Sequence, residues 1–183
     1  MQPFVERVVL THASIAQRVR ELAAEITADL SSPALSGEAE VTIVPVLTGA
    51  MIFCADLIRH LPMRMKIGLL TVSSYPGANM KTTGSTLLSE RFHVRGRHVL
   101  LIDDVLDSGG TVRLVRDAVK RQEPASVKVC VLLRKATEGA RRTPVDYVGF
   151  DIPDEFVVGY GLDFDDYYRN LPDIVTLKAG ADH

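Results

Sequence analysis

A chain of 183 residues, 46% hydrophobic and 24% charged, is long enough to bury one substantial core and offers no composition break at which to split it, so residues 1–183 read as a single domain. A net charge of -2 excludes a general nucleic-acid surface, which needs a basic excess. No uninterrupted apolar run is long enough to cross a bilayer and MQPFVERVVL lacks the layout of a secretion signal, which points to the cytoplasm and away from membranes.

Along the chain, SIAQRVRELAAEITADL (14–30) opens with Ser14 and Gln17 at capping-box spacing. It places Ile15, Val19, Leu22, Ala23, Ile26 and Leu30 three or four residues apart, which predicts an amphipathic helix. SSPALSG is a loop, and VTIVPVL (41–47) is a buried-type strand that Pro45 assigns to an edge or to an early end. After Thr48-Gly49, AMIFCADLIRHL is a helix. KIGLLTV (66–72) is a strand, and SSYPGANMKTTGSTL a long polar loop. VLLID (99–103), SVKVCVLLRK (126–135), DYVGF and FVVGY read as strands, TVRLVRDAVKRQ as a helix, and DIVTLK as a last strand closing the sheet. Strands apolar on both faces that alternate with helices predict an α/β fold with a mainly parallel central sheet. Cys54 and Cys130 lie in apolar segments without metal-ligand or CxxC spacing and read as reduced core thiols.

The stretch HVLLIDDVLDSGGTV (98–112) carries the chemistry. Helix capping accounts for Asp107 and Ser108, and turn geometry for Gly109-Gly110. Neither accounts for Asp103-Asp104, because a buried strand rarely ends in adjacent carboxylates unless hydroxyls, a metal or a cation satisfy them. The turn aims backbone N–H groups and a helix dipole at one spot, with the hydroxyls of Ser108 and Thr111 beside it. A sugar phosphate with a divalent cation fits both halves. A Walker loop is excluded for want of a lysine in SGGTV, and a dinucleotide fingerprint because Phe164 stands where the third glycine belongs. A phosphoacceptor receiver domain stays open as an alternative, although its paired aspartates end the first strand.

VLLIDDVLDSGGTV resembles the phosphoribosyl pyrophosphate signature of the type I phosphoribosyltransferases. Within that superfamily, VPVLTGAMIFCADL, SSYPG, LLRK and DYVGFDIPDEFVVGYGLDFDDYYRNLP are similar, in the same order, to segments of the hypoxanthine-guanine phosphoribosyltransferases. The resemblance implies that family's fold, with a small hood formed by terminal segments. It also implies Mg2+ as cofactor, a 6-oxopurine and phosphoribosyl pyrophosphate as substrates, and a homodimer or homotetramer.

Site roles carry over by the same resemblance. Asp103 and Asp104 hold the ribose 2′ and 3′ hydroxyls near magnesium; the family commonly has Glu before Asp, so Asp103 is one methylene short. Asp107 takes the proton on purine N7, with capping as its rival role. The backbone from Asp107 through Ser108, Gly109 and Gly110 to Thr111 cradles the 5′-phosphate. Lys135, a strand-end lysine whose ordinary fate is to reach into water, donates to the oxygen at purine C6. Phe156 stacks on the purine and the backbone of Val157 meets its edge. From Asp151 to Asp166 there are six acidic residues and no Lys or Arg; most form a solvated face, while Asp163 matches the carboxylate near a second magnesium. Arg169 matches the pyrophosphate arginine. Thr48 and Gly49 occupy the pyrophosphate turn, where many relatives have Leu-Lys-Gly, and a cis peptide is expected between Leu47 and Thr48. Ser74 and Tyr75 stand at the hinge end of a lid running to about Leu87. The rival readings are a regulator on the same fold that binds RNA or a nucleotide, and a sister transferase for xanthine or a pyrimidine.

Overall fold

The computed structural model describes residues 4–30, 40–76, 83–91, 93–178 and 180, with residues 73–76 and 83–91 described by their backbone. The predicted loop 31–37 lies outside these residues. Strand β1 (Val5–Leu10) precedes helix α1 (His12–Leu30), and β2 (Val41–Leu47) precedes α2 (Met51–Ile58). Then come β3 (Met65–Ile67), β4 (Leu69–Pro76), β5 (Thr83–Arg91) and β6 (His98–Leu106), α3 (Gly110–Lys120), β7 (Ser126–Lys135), α4 (Glu138–Arg142), β8 (Tyr147–Ile152) and β9 (Ile174–Leu177).

The main sheet has seven strands in the order β5-β4-β2-β6-β7-β8, with β3 paired to β2. All its pairings are parallel except β4 with β5. Side chains alternate across it. Ile43, Leu100, Ile102, Cys130 and Leu132 pack with α1 and α2 on one face. Val44, Val99, Leu101, Val129 and Val131 pack with Val112, Val115 and Val119 of α3 on the other. Cys54 and Cys130 are free and buried, and burial pushes the Cys54 thiol up to about 11.

Several expectations need correcting. The cap of α1 is Thr11, whose Oγ1 accepts from the Ser14 N–H at 3.2 Å, while Gln17 turns to Glu21 at 2.8 Å. Strand β2 is interior rather than an edge. It tolerates Pro45 because its ladder on one side passes from β3, ending at Ile43, to β4, starting at Val46, and skips Val44 and Pro45. The strand expected over 66–72 breaks into β3 and β4. The polar stretch after it is partly strand: Ser73–Pro76 and Thr83–Leu87 continue the β4–β5 ladder, and residues 77–82 lie outside the described set. Residues 156–160 form no strand, since Gly159, Tyr160 and Gly161 have φ of 98°, 52° and 104° and turn the chain. Strand β9 does not close the main sheet; it pairs antiparallel with β1 in a separate two-stranded sheet. With Val5, Val158, Leu171 and Val175 as its core, this layer is the expected hood of terminal segments.

Candidate active site

From β2 the chain steps outward to β4 on one side and later returns to β6 on the other. The gap between β2 and β6 is therefore the topological switch point, where open α/β sheets hold ligands beyond the strands' carboxyl ends. The pairing of β2 with β6 stops at Pro45 and Ile102, whereas β6 stays paired with β7 through Leu106. Asp103 and Asp104 thus lie inside β6 rather than at its end, on the stretch that has parted from β2. The turn after β2 packs directly on them: a Cβ on Gly49 would come within 1.9 Å of Asp104 Oδ2. The Leu47–Thr48 peptide within this turn is cis, and Thr48 itself is exposed.

Asp103 is 4% exposed. Burial, reinforced by the Asp104 charge, holds its carboxyl well above the usual carboxylate range. Burial also raises Asp104, opposed by hydrogen bonds that include the Val105 N–H and by the Arg169 guanidinium. A pair so disposed is short of positive charge, which is the environment a divalent cation with sugar hydroxyls completes. No group of three or more His, Cys, Asp or Glu side chains forms a ready cage among the described residues. An ion here would draw the rest of its coordination from substrate oxygens, as magnesium commonly does.

Asp107 does not cap α3. The cap is Gly109, in the left-handed region at φ 74°, and Ser108 Oγ accepts from the Gly110 N–H at 3.3 Å. Freed from capping, the Asp107 carboxylate meets Lys135 Nζ at 3.1 Å. Lys135 does not reach into water: its side chain is 13% exposed and lies 3.7 Å from Asp154 as well. Two residues beyond Asp154, Phe156 is 56% exposed, and its ring makes a T-shaped pair with Phe164 at 5.6 Å between centroids. Val157 beside it is buried.

The hood closes on the crevice through glycine contacts. A Cβ on Gly161 would meet the Gly49 carbonyl at 2.3 Å. Arg169 Nη1 donates to the Gly161 carbonyl at 2.8 Å and pairs with Asp163 at 2.8 Å, while Nη2 pairs with Asp166 at 2.8 Å. Tyr160 donates to Asp56 of α2 at 2.7 Å. The structure therefore brings together Gly49, Asp104, Gly161, Asp163 and Arg169 at one end, and Asp107, Lys135 and the segment of Phe156 at the other. Ser74 and Tyr75 lie on β4, opposite Ser85 and Gly84 of β5. The stretch 137–143, which carried no site expectation, packs against the anion turn, with Thr137 donating to the Asp107 carbonyl at 2.7 Å. Its only sequence signal is the Thr-Glu-Gly run after Lys135.

Residues 8–165 match the family model of the phosphoribosyl transferase domain. The chain is 37% identical to the hypoxanthine-guanine-xanthine phosphoribosyltransferase of Tritrichomonas foetus, covering 99% of this chain and 96% of the relative. It is 38% identical to the hypoxanthine phosphoribosyltransferase of Escherichia coli K12, covering 90% and 91%. Its fold superposes on the hypoxanthine phosphoribosyltransferase of Trypanosoma cruzi, solved in complex with the product IMP, with TM-score 0.84 and 34% identity over 98% of this chain and 97% of that one. Matched along nearly its whole length and in the order of its motifs, the chain belongs to the hypoxanthine-guanine phosphoribosyltransferase family.

Proposed function

We propose that this chain moves the phosphoribosyl group from phosphoribosyl pyrophosphate to hypoxanthine or guanine, giving IMP or GMP and pyrophosphate. The observation that carries the reading is the pairing of Lys135 with Asp107 at 3.1 Å, together with the exposed ring of Phe156: a donor, a proton acceptor and a stacking surface, which a 6-oxopurine requires and an anion turn alone does not supply. As the bond from C1′ to the pyrophosphate oxygen breaks and the bond to purine N9 forms, positive charge grows on the ribose and negative charge on the leaving group. Asp103 and Asp104 hold the ribose hydroxyls on the side of the first charge. Arg169 and the backbone of Thr48 and Gly49 receive the second. Asp107 takes the proton from N7, and the backbone from Asp107 through Thr111 binds the 5′-phosphate. Lys135 donates to the oxygen at C6, Phe156 stacks on the base, and the backbone of Val157 meets its edge.

Asp103, Asp104 and Asp163 would hold magnesium, and the chemistry such an ion supplies when bound is neutralisation of the departing pyrophosphate. The segment from Ser74 and Tyr75 to about Leu87 would exclude water from the ribosyl cation. A homodimer or homotetramer is proposed on the family likeness. No described helix is long and apolar enough to cross a membrane, in keeping with the proposed cytoplasmic location. The test is incubation with phosphoribosyl pyrophosphate, magnesium and each free base in turn. Nucleotide should appear with hypoxanthine or guanine, and its absence with every base removes the reading.

A further inference from the structure

The anion turn is built over a brace that the substrate, on the reading above, does not touch. Arg113 stands on α3 with its guanidinium folded back beneath the turn: Nη2 donates to the Ser108 carbonyl at 3.2 Å, and Nη1 donates to Thr143 Oγ1 at 2.7 Å. Thr143 is 3% exposed and its hydroxyl donates onward to the Gly139 carbonyl at 2.8 Å. Thr137 Oγ1 donates to the Asp107 carbonyl at 2.7 Å, and the Arg113 N–H donates to the Gly109 carbonyl at 3.1 Å. Three successive carbonyls, those of Asp107, Ser108 and Gly109, are thereby drawn to one side.

In a trans peptide unit the carbonyl and the next N–H point in opposite directions. Holding those carbonyls down therefore aims the N–H groups of Ser108 and Gly109 toward the other side, where an anion would sit, while the Gly110 N–H meets Ser108 Oγ at 3.3 Å. The packing leaves no slack. A Cβ on Gly109 would fall 1.9 Å from Thr143 Oγ1, and one on Gly139 would fall 2.6 Å from the Ser108 carbonyl. Only glycines at both places let 137–143 support the turn from below.

We propose that Arg113, seated by Thr143, is a positioning residue for the 5′-phosphate turn, acting through the Ser108 carbonyl and not by contact with the substrate. The proposal rests on the phosphoribosyl pyrophosphate reading of that turn. It also commits to geometry over charge: one guanidinium bridges two acceptors, which the single ammonium of a lysine does not reproduce.

The test compares the wild type with Arg113→Ala and Arg113→Lys, two changes at an exposed helix position. KM is measured for phosphoribosyl pyrophosphate and for the purine, and affinity for ribose 5-phosphate by calorimetry. Loss of a charge-assisted hydrogen bond that orients the turn should raise KM for phosphoribosyl pyrophosphate, and weaken ribose 5-phosphate, about tenfold in both variants. KM for the purine should stay within a factor of two. A lysine variant that behaves like the wild type would reduce Arg113 to general charge attraction and overturn the proposal. So would an unchanged alanine variant, or a parallel rise in both KM values, which marks a general loss of packing. A wild type that neither binds ribose 5-phosphate nor turns over would overturn instead the reading of the turn on which the proposal stands.

Discussion

On the function proposed above, Lys135 is the residue on which base choice turns. Its ammonium carries donors and no acceptor, so it can meet the C6 oxygen of hypoxanthine or guanine but faces the amino group of adenine donor to donor. With a side chain only 13% exposed, it has little water to turn to once a base covers the site. Lys135 keeps its carboxylate partners, but the adenine amino group set against it is left buried without an acceptor, which costs about 1–3 kcal/mol, hence about 5- to 150-fold discrimination against adenine. Phe156 cannot make this choice, because adenine stacks equally well. Lys135→Gln should weaken use of hypoxanthine and guanine and narrow the gap to adenine, since an amide can present either its oxygen or its nitrogen; comparing kcat/KM across the three bases checks it. Asp107 is the complementary case. Its carboxylate meets Lys135 and not the end of α3, so Asp107→Asn should leave the melting temperature nearly unchanged while lowering kcat by about 10²–10⁴-fold, the range for a positioned proton acceptor. Activity within a factor of two of wild type would end that assignment.

Each strand of the central sheet depends on its neighbours for its limits, and the start of β2 shows how charge secures one. Arg97, just before β6, donates to Thr42 Oγ1 at 2.6 Å and to the Val41 carbonyl at 3.1 Å, and pairs with Glu40. Hydrogen bonds from Arg97 and Lys66 hold the Glu40 carboxyl down at about 2. A depressed folded-state value means the pair stabilises above the ordinary carboxyl range and that this contribution is lost as pH falls through about 2. Glu40→Gln should therefore lower the melting temperature at neutral pH by a modest amount, as exposed pairs do, with the difference shrinking between about pH 4.5 and 2. An equal difference at every pH would remove the ion pair as its cause. The same dependence on neighbours explains which elements were legible in the sequence. Strand β7 matches its expected bounds, 126–135, because the apolar run VCVLL at its centre, residues 129–133, is buried on both faces. Strand β6 runs three residues past its expected end because β7 continues to pair with it where β2 has left. The apolar run at 156–160 looks like a strand, but successive left-handed residues around Tyr160 bend it into the hood, and a tyrosine at φ 52° has no composition cue. Among site residues the acidic pair and the glycine turn announce themselves by charge and spacing. Arg113 and Thr143 do not, since an arginine on an exposed helix position and a threonine before proline acquire their role only when α4 folds under the turn.

Taken whole, the molecule is two layers meeting over a charge that neither balances alone. The main sheet contributes Asp103 and Asp104, and the turn after β6 contributes Asp107; the hood contributes Asp163 and Arg169. The layers touch at Gly49 and Gly161, and Tyr160 bonds to Asp56. A ligand that reaches from the anion turn to Arg169 ties hood to sheet and should bind the folded chain alone, so its binding free energy adds to stability. Asp103 and Asp104 stand against this: burial disfavours both charges and the Asp104 charge further disfavours that of Asp103, and a pyrophosphate brings more negative charge to the same crevice. Divalent cation and substrate should accordingly act together. Phosphoribosyl pyrophosphate with magnesium, at about one hundred times its dissociation constant, should stabilise by about 2.7 kcal/mol, which raises the melting temperature of a chain this size by about 5–10 °C. Magnesium alone should shift it little, because the described residues form no cage for it. Phosphoribosyl pyrophosphate with a chelator should give well under half the full shift. Thermal melts under these three conditions decide the matter: an undiminished shift in chelator would mean that Arg169 and the backbone N–H groups balance the substrate's charge unaided, and that the acidic pair serves the ribose hydroxyls without a metal.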